Sequence, residues 1–408
     1  MSTRERPARG RSRFDISSRP LVTGGNRVVL LTNGEEYFPR LLAAIEQASR
    51  SIYFETYIFA ADNIGLRMSD ALAVAADRGV VVRLVVDGYG TGAFAATLKA
   101  RLELVGAQVA IFRPARWWRL DRRLLRRMHR KLVLVDDRVA FVGGINIIDD
   151  HHHPDGEAAG LGPRFDFAVE CEGPVVAPIA ISMKRLWWTL AVLQMRQRPG
   201  PPPVLDGAVH PPLPDGVRAS LLLRDNFRNR RTIERAFLDA LAAARGEVII
   251  AMAYFVPGRG FRRALLDCAR RGVRIRLLVQ GRVEYAVQHY AQEALYGQLL
   301  DAGVEIHEYE ASYLHAKVAV IDDLWVTVGS SNIDPYSLLL AREANLAIVD
   351  AGFAGQLRAV LMKAIDQQSR RVRAEAYARR GLLRRALNWA AYGIVRFAAV
   401  ALAGGRDY

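Results

Sequence analysis

Apolar positions along the chain follow two spacings, and the order of these spacings repeats in the second half. Short apolar runs of strand length, such as residues 52–58 and 248–254, alternate with stretches of helical spacing, such as residues 37–50 and 232–245. Strand and helix patterns that alternate in this way are typical of α/β layers. The pattern therefore predicts two α/β domains with the same order of elements, each with a largely parallel sheet.

Each half also contains two short apolar runs on either side of a pair of aspartates. Such runs around a tight acidic turn predict a strand hairpin. The hairpins cover residues 132–142 and 318–328, with Asp136-Asp137 and Asp322-Asp323 at their turns.

A run rich in proline and glycine separates the two halves, and such a run is typical of a linker. The predicted divisions are a flexible basic tail at 1–24, a first domain at 25–198, a linker at 199–216, a second domain at 217–365 and an amphipathic helical segment at 366–408.

Composition narrows the class of protein. The 408 residues are 51% hydrophobic, which supports packed cores and excludes a disordered chain. Lysine and arginine total 57 against 42 acidic residues, and the net charge of +15 favours a polyanionic partner, either nucleic acid or an anionic membrane surface. The two cysteines form neither a disulfide framework nor a ligand cluster. No stretch of eighteen uncharged apolar residues is present, which argues against a spanning helix.

The strongest chemical signal is a motif that occurs twice with identical internal spacing. The copies read His129-x-Lys131-x4-Asp136-x6-Gly143-Gly144-x-Asn146 and His315-x-Lys317-x4-Asp322-x6-Gly329-Ser330-x-Asn332. Residues two apart on a strand point to one face, so each histidine and its lysine project together. Two imidazoles, two ammonium groups and two carboxamides suit an anionic, phosphate-like centre with one histidine on each side.

This doubled pattern resembles the phospholipase D superfamily. Residues 31–39, 54–59, 87–90, 127–131 and 328–334 are further similar to bacterial cardiolipin synthases of the B type. The resemblance implies two duplicated α/β/α sandwich domains of the phospholipase D type, in a pseudo-two-fold arrangement with the active site at their interface.

The resemblance also implies a reaction. A phosphatidyl group would pass from phosphatidylglycerol to the hydroxyl of a second phosphatidylglycerol, or of a related lipid alcohol, through a covalent phosphatidyl-histidine, with release of glycerol. Dividing one displacement into two in this way is nucleophilic catalysis. No cofactor and no metal is implied. Hydrolysis of phospholipids by water is the alternative, and cleavage of nucleic acid is a weaker one, because all three reactions use the same residues.

Eleven residues are assigned to this site. The catalytic set is His129, Lys131, Asp136, His315, Lys317 and Asp322, and the phosphate-binding or supporting set is Asn146, Asn332, Ser330, Asp166 and Glu343. The resemblance favours His129 as the nucleophile and His315 as the general acid and base. The lysines and asparagines would donate to the non-bridging phosphoryl oxygens.

Each imidazole also needs an acceptor that fixes its tautomer. The resemblance implies that Asp166 and Glu343 support the histidines, although an insertion at residues 151–162 breaks the spacing of Asp166. Asp136 and Asp322 compete for the same role, and a role in the turn is their alternative. His151, His152 and His153 follow one another on a loop and so do not share a face, which argues against a metal site.

The surroundings suit a lipid substrate. Arginine and tryptophan interleave at residues 113–127 beside His129, a pattern that fits lipid headgroups at a membrane surface and also fits phosphates and bases. Trp187-Trp188 lie in a second such segment, for which a buried helix is the alternative. We expect an anionic phospholipid substrate and a peripheral position on the cytoplasmic face of the inner membrane, and no nucleic acid partner. The oligomeric state is not indicated.

The last predicted element, residues 381–403, is an amphipathic helix. Its polar stripe consists of Arg385, Asn388, Tyr392 and Arg396, and its apolar stripe of Leu383, Leu387, Ala390, Ile394, Phe397 and Ala401. Such a helix either lies in the plane of the membrane interface or docks on the protein core.

Overall fold

The computed structural model describes residues 20–114, 126–152, 161–193, 200–204, 211–226 and 228–403. The first half contains, in order, β1 Val22–Thr32, α1 Asn33–Glu46, β2 Ser51–Thr56, α2 Asn63–Asp77, β3 Val81–Asp87, α3 Gly92–Leu104, β4 Gln108–Phe112, β5 Lys131–Val135, β6 Val139–Gly143, β7 Phe167–Glu172 and α4 Val176–Leu193.

The second half repeats this order with a divided third helix and additional elements at its end. It contains β8 Val217–Arg224, α5 Thr232–Ala243, β9 Glu247–Met252, α6 Arg259–Arg270, β10 Arg274–Gln280, α7 Ala286–Glu293, α8 Tyr296–Asp301, β11 Glu305–Tyr309, β12 Lys317–Ile321, β13 Trp325–Gly329, α9 Pro335–Leu339, β14 Glu343–Val349, α10 Ala351–Gln368, β15 Ser369–Val372, α11 Ala374–Ala378 and α12 Leu382–Ala403.

The described strands form one sheet whose order is symmetric about its centre. The order is β15-β11-β10-β9-β12-β13-β14-β8-β1-β7-β6-β5-β2-β3-β4. Outward from the central pair, the strands of the second half follow the order β8-β14-β13-β12-β9-β10-β11, and those of the first half follow the equivalent order β1-β7-β6-β5-β2-β3-β4. Strand β15 has no counterpart among the described strands of the first half. This arrangement confirms the predicted duplication, since the two halves meet at equivalent edge strands.

The prediction of a largely parallel sheet was wrong. Only β2, β3 and β4, and their equivalents β9, β10 and β11, pair in parallel. The other neighbouring strands described here are antiparallel. The physical reason is the hairpin in each half, because a tight turn can join only antiparallel strands.

Helices cover both faces of the sheet, as an α/β/α sandwich requires. In the first half, α1, α2 and α3 bury Leu41, Leu72 and Phe94 on one face. Helices α4 and α10 cover the opposite face in a core that draws strand residues from both halves. By length and composition α4 is the one helix in the described ranges that could cross a membrane, yet half of it is buried inside the protein. Trp187 belongs to that core, which confirms the buried-helix alternative for its segment.

The sheet extends slightly beyond the predicted domain limits. Strand β1 begins at Val22, within the predicted tail, and β15 pairs antiparallel with β11 although it lies in the predicted C-terminal helical segment. Residues 1–19 and the linker positions 199 and 205–210 lie outside the described residues. The domain boundaries themselves stay a prediction.

Both hairpins form as predicted, and their turns explain the paired aspartates. Asp136 and Asp137 have φ of 54° and 55°, and Asp322 and Asp323 have φ of 53° and 51°. Positive φ at two successive residues is the signature of the tight hairpin turn that matches strand twist, and aspartate tolerates it better than most residues.

The aspartates of the doubled motif hold these turns to the neighbouring strand. The Asp136 carboxylate accepts hydrogen bonds from the backbone of Ser49, Arg50 and Ser51, each at 2.8 Å. The Asp322 carboxylate accepts from the backbone of Arg245, Gly246 and Glu247 at 2.7–3.0 Å.

The assignment of Asp136 and Asp322 to the catalytic set was therefore wrong, as was their candidacy for supporting the histidines. They lie at the turn ends of β5 and β12, whereas His129 and His315 precede the opposite ends of those strands. The physical reason is that six intervening residues, which include the extended strand, carry each carboxylate about 13 Å or more from its histidine.

We expect Asp136→Ala to lower the free energy of unfolding by about 1–2 kcal/mol while the folded protein keeps its turnover, because the hydrogen bonds that are lost, from the backbone and from the Ser49 hydroxyl, all hold the turn. Burial opposes ionisation of Asp136, but these bonds outweigh it and lower its pKa. The stabilisation is thus complete above the unfolded pKa of about 3.9 and is lost as the pH falls through the lower folded value. Urea unfolding at several pH values measures this, and a large loss of turnover per folded molecule would contradict it.

Candidate active site

Each histidine of the doubled motif is positioned by the opposite half of the chain. The backbone amide of His129 donates to the carbonyl of Arg342 at 2.9 Å, just before β14. In the equivalent contact, the amide of His315 donates to the carbonyl of Phe165 at 2.8 Å, just before β7. The segments that carry the histidines, just before β5 and β12, therefore pair with segments of the other half.

This exchange gives each imidazole a carboxylate from the other half. Nδ1 of His129 lies 3.1 Å from the carboxylate oxygens of Glu343, and Nδ1 of His315 lies 2.5 Å from Oδ2 of Asp166. With Nδ1 bound to a carboxylate, Nε2 is the ring nitrogen left to react.

Asp166 and Glu343 are structural equivalents despite their different spacing from the motif. Gly143 on β6 pairs with Ala168, two residues after Asp166, and Gly329 on β13 pairs with Asn345, two residues after Glu343. The insertion at residues 151–162 is accommodated before β7 and does not alter this register. The family resemblance named both acids, but it did not indicate which histidine each one contacts.

The glycines of the motif make room for this pairing. A Cβ at Gly144 would lie 2.4 Å from Oδ1 of Asp166, so a side chain there would displace the carboxylate. The equivalent Ser330 takes a different part, since its hydroxyl donates to Oε2 of Glu343 at 2.5 Å. Ser330 thus supports the carboxylate, and its contact with the histidine is indirect.

The two asparagines occupy equivalent places on the cavity wall. Oδ1 of Asn146 accepts from the backbone of Ile58 at 3.1 Å, and Oδ1 of Asn332 accepts from the backbone of Tyr254 at 3.3 Å. Since each carboxamide oxygen is engaged, its NH₂ group is the part left to donate to a bound anion.

The two lysines lie behind the histidines. Nζ of Lys131 donates to the carbonyl of His129 at 2.7 Å, and Lys317 is fully buried with Nζ 2.7 Å from Nδ1 of His315. Neither lysine belongs to the cavity wall. Their predicted hydrogen bonds to phosphoryl oxygens stay a prediction, and the ammonium groups act here as buried charges beneath the floor of the site.

Sequence reasoning missed two residues that fix the approach to the histidines. Oδ2 of Asp87 accepts from the backbone of Met128 at 2.9 Å, and Oε1 of Gln280 accepts from the backbone of Leu314 at 2.9 Å. Asp87 and Gln280 end the equivalent strands β3 and β10, where side chains converge at the carboxyl edge of a parallel sheet. Their position at the ends of equivalent strands was the available signal. Because one residue is an aspartate and the other a glutamine, the pair was not recognised as part of the sequence repeat.

A cavity of about 500 Å³ contains both histidines and both asparagines. Two arginines that the motif did not indicate, Arg127 and Arg164, also line it. A larger cavity of about 900 Å³ lies against α5 and the turn ends of β12 and β13, but none of the histidines reaches it. The chemistry of the motif therefore belongs to the smaller cavity.

The buried charges of this site favour binding of an anion. Burial, together with repulsion from Lys317, lowers the pKa of Lys131 to about 7. Burial lowers the pKa of Lys317 to about 8 and raises that of Asp166 to about 6. An anion between the two motifs would offset the repulsion between the lysines, whereas a cation would increase it.

Burial also favours the neutral imidazoles. The pKa of His129 is lowered, and that of His315 is lowered well below its usual value, in both cases chiefly by burial. A neutral imidazole is the nucleophilic form. A bound phosphodiester would raise the pKa of the second imidazole, which suits it to carry a proton only while substrate is present.

The structure describes only part of two segments that the sequence analysis singled out. Residues 115–125 of the arginine- and tryptophan-rich segment, and His153 with 154–160, lie outside the described residues. Within the described ranges, no group of three or more histidine, cysteine, aspartate or glutamate side chains is arranged to hold a metal ion.

The chain is similar to known proteins over most of its length. The family model described as "Cardiolipin synthase, PLD-like domain" matches residues 41–159 and 237–365. Cardiolipin synthase B of Escherichia coli is 39% identical over 345 residues, covering 82% of this chain and 79% of the relative. Cardiolipin synthase A of Pseudomonas putida is 32% identical over 353 residues, covering 86% and 70%.

Among solved structures, the phosphatidylserine synthase of Haemophilus influenzae superposes with a TM-score of 0.68, covering 94% of this chain and 96% of that chain at 14% identity. The polyphosphate kinase of Porphyromonas gingivalis superposes with a TM-score of 0.56, covering 92% and 53%, also at 14% identity. At this identity both likenesses concern the fold alone.

The exchanged pairs give a prediction for histidine NMR. We expect Glu343→Gln to change the Nδ1 resonance of His129 and to lower its pKa further, because the lost carboxylate favoured the imidazolium. Asp166→Asn should instead change the Nδ1 resonance of His315. Each variant should also lose turnover by about 10²- to 10⁴-fold, as expected when an imidazole loses its orienting carboxylate. If each substitution affected the histidine of its own half, the exchange would be refuted.

Proposed function

The chain belongs to the phospholipase D-like family of cardiolipin synthases, and we propose that it makes cardiolipin by phosphatidyl transfer between two molecules of phosphatidylglycerol. The observation that carries the proposal is a single cavity in which two histidines, each with its own carboxylate, face one anion-binding space. Two equivalent imidazoles suit a displacement that is carried out twice at one phosphorus atom.

In the first step, Nε2 of His129 attacks the phosphorus of one phosphatidylglycerol. The bond from phosphorus to the glycerol headgroup oxygen breaks, and His315 gives its proton to that oxygen, so that glycerol leaves. In the second step, the headgroup hydroxyl of another phosphatidylglycerol loses its proton to His315 and attacks phosphorus. The phosphorus–nitrogen bond breaks, cardiolipin forms, and both histidines return to their initial state.

The remaining residues of the site stabilise negative charge. The carboxamide NH₂ groups of Asn146 and Asn332 would donate to non-bridging oxygens, and Lys131 and Lys317 would contribute positive charge from below. Arg127 and Arg164 lie on the cavity wall with side chains only 10% and 15% exposed. In this proposal they bind the headgroup phosphates, since a guanidinium matches phosphate geometry.

The size of the cavity limits what enters it. About 500 Å³ accommodates headgroups and the reacting phosphate, whereas the acyl chains of two lipids would remain outside. The enzyme would therefore act on lipid that is still in a membrane. We propose a peripheral position on the cytoplasmic face of the inner membrane, supported by the membrane-lipid substrate and by the net charge of +15.

Hydrolysis is the second candidate, because a water molecule could take the place of the acceptor hydroxyl with every protein group unchanged. The names of the relatives favour transfer. The products separate the two reactions, since transfer gives cardiolipin and glycerol, and hydrolysis gives phosphatidic acid and glycerol.

Purified protein mixed with phosphatidylglycerol vesicles should produce cardiolipin, and His129→Ala and His315→Ala should each reduce turnover by at least about 10³-fold, because neither half-reaction proceeds without both imidazoles. Mass spectrometry of the lipids measures this. Asp136→Ala is the matched control, since it lies in the same motif but outside the cavity. Phosphatidic acid as the main product would show that the protein is a hydrolase and would contradict the proposed transfer. Normal turnover in either histidine variant would exclude the two-histidine mechanism.

The covalent intermediate shows which of the two histidines is the nucleophile. Labelled phosphatidylglycerol quenched during turnover should leave a phosphatidyl adduct on His129, and the adduct should be absent from His129→Ala. Peptide mapping by mass spectrometry locates it. An adduct on His315 would reverse the assignment of nucleophile and general acid without changing the reaction.

A further inference from the structure

The outward face of the C-terminal helix is apolar. On α12, Leu383, Ile394 and Phe397 are 86%, 59% and 76% exposed. Arg385 is the charged residue among the exposed positions of this helix, and its other exposed positions are Leu382, Ala386, Leu387, Trp389, Ala390, Gly393 and Val400. A helix on the surface of a globular protein ordinarily presents its polar side to water, so this orientation is reversed.

The polar stripe of α12 faces the protein instead. Asn388 is only 1% exposed, and its NH₂ group donates to Oε2 of Glu293 at 3.1 Å. Arg384, one turn earlier, donates to both oxygens of the same carboxylate at 3.1 Å. One turn after Asn388, the hydroxyl of Tyr392 accepts from Arg262 at 3.2 Å.

Glu293 is the point of attachment. This residue is 2% exposed, and its carboxylate also lies 3.0 Å from Nη1 of Arg380. Burial alone would raise the pKa of Glu293, but hydrogen bonds from His289 and Arg384 and the charge of Arg380 outweigh it and lower the pKa to about 2. A buried, ionised carboxylate with several cationic partners is costly to separate from them, so the polar stripe fixes the orientation of α12.

The helix is docked on the protein by its polar stripe, and this docking leaves its opposite stripe free for contact with a membrane, so the two alternatives left by the sequence do not exclude one another. Asn388, Tyr392 and Arg396 belong to the docked side, as the sequence grouped them, whereas Arg385 is exposed and Arg384 takes its place. Docking therefore leaves the apolar stripe outward.

The helix also lies beside the mouth of the active-site cavity. It packs against α7 and α9, and both elements contribute to the cavity wall, α7 through Gln288 and α9 through Tyr336. The rim at the start of α7 is exposed and apolar as well, with Val283, Tyr285 and Val287 between 46% and 57% exposed. The apolar face of α12 and this rim thus lie on neighbouring elements, and α7, which connects them, contributes to the cavity wall.

We propose that the outward face of α12, together with the rim at residues 283–287, is the surface on which the protein rests on an anionic lipid bilayer. This inference rests on the proposed function, because a lipid whose phosphate reaches the histidines keeps its acyl chains in an apolar medium beside the cavity mouth. Apolar side chains would enter the interface while the excess positive charge of the protein attracts anionic headgroups. A second copy of the chain would offer no such medium at that mouth.

The test replaces two outward residues of α12 by glutamate, as Ile394→Glu/Phe397→Glu. The matched control is Leu104→Glu/Leu324→Glu, which changes the charge equally at two exposed leucines. Leu104 precedes β4 and Leu324 follows the β12 turn, so both lie at the end of the sheet opposite the cavity. Co-sedimentation with mixed phosphatidylglycerol and phosphatidylcholine vesicles is measured at low salt and at about 1 M salt, where the Debye length falls to about 3 Å.

We expect the wild-type protein and the control to keep a salt-resistant fraction bound to vesicles. The α12 variant should lose that fraction and should turn over vesicle phosphatidylglycerol about tenfold or more slowly, because apolar insertion is lost. Its turnover of short-chain phosphatidylglycerol below the micelle concentration should equal that of the wild type, since no cavity residue has changed.

Two results would overturn the proposal. One is binding of the α12 variant at high salt equal to that of the wild type. The other is conversion of a dimer to a monomer in light scattering with vesicle binding unchanged, which would assign the face to a second copy of the chain. Failure of the wild type to make cardiolipin from the short-chain lipid would instead refute the proposed function, and vesicle binding would still decide the membrane face.

Discussion

The hydrogen bond between each motif histidine and a carboxylate of the opposite half is the interaction on which the site depends. His129 contacts Glu343 and His315 contacts Asp166, so neither half alone contains a complete imidazole–carboxylate pair. The backbone bonds from His129 to Arg342 and from His315 to Phe165 bring the same segments together. The central β1–β8 pair and the core shared by both halves hold this arrangement in place.

The exchange explains why so many buried charges occur together. Lys131, Lys317, Asp166 and Glu343 are all nearly inaccessible to water, and isolated charges at such depth would be strongly unfavourable. Each is offset by a neighbour of opposite sign or by backbone hydrogen bonds, except that the two lysines repel one another. An anionic phosphate would offset this repulsion, so the free site is arranged for the charge of its substrate before the substrate arrives.

The reversed orientation of α12 also follows from the pairing of a buried charge. Glu293 attracts Arg384 and Asn388 of the helix toward the protein, and the apolar stripe is consequently turned outward. In a water-soluble setting this would expose apolar surface without benefit. If the cavity takes lipid headgroups as proposed, this face supplies a surface suited to the acyl chains that would remain outside.

The sequence by itself determined the duplication, the hairpins, the reacting residue types and the family, because identical spacing of His129 and His315 with their lysines and asparagines is a local property of the chain. It also named Asp166 and Glu343. Tertiary structure decided which carboxylate contacts which histidine. His129 and Glu343 are 214 positions apart in the chain, and Asp166 and His315 are 149 apart, so only the packing of the two halves brings each pair into contact. It likewise removed Asp136 and Asp322 from the site, because a spacing that is repeated in both copies of a motif does not distinguish a residue that reacts from one that holds a turn. The direction in which α12 faces could not be read from its amphipathic pattern, which is the same whichever stripe is buried; the buried carboxylate of Glu293, nearly one hundred residues earlier in the chain, selected the polar one.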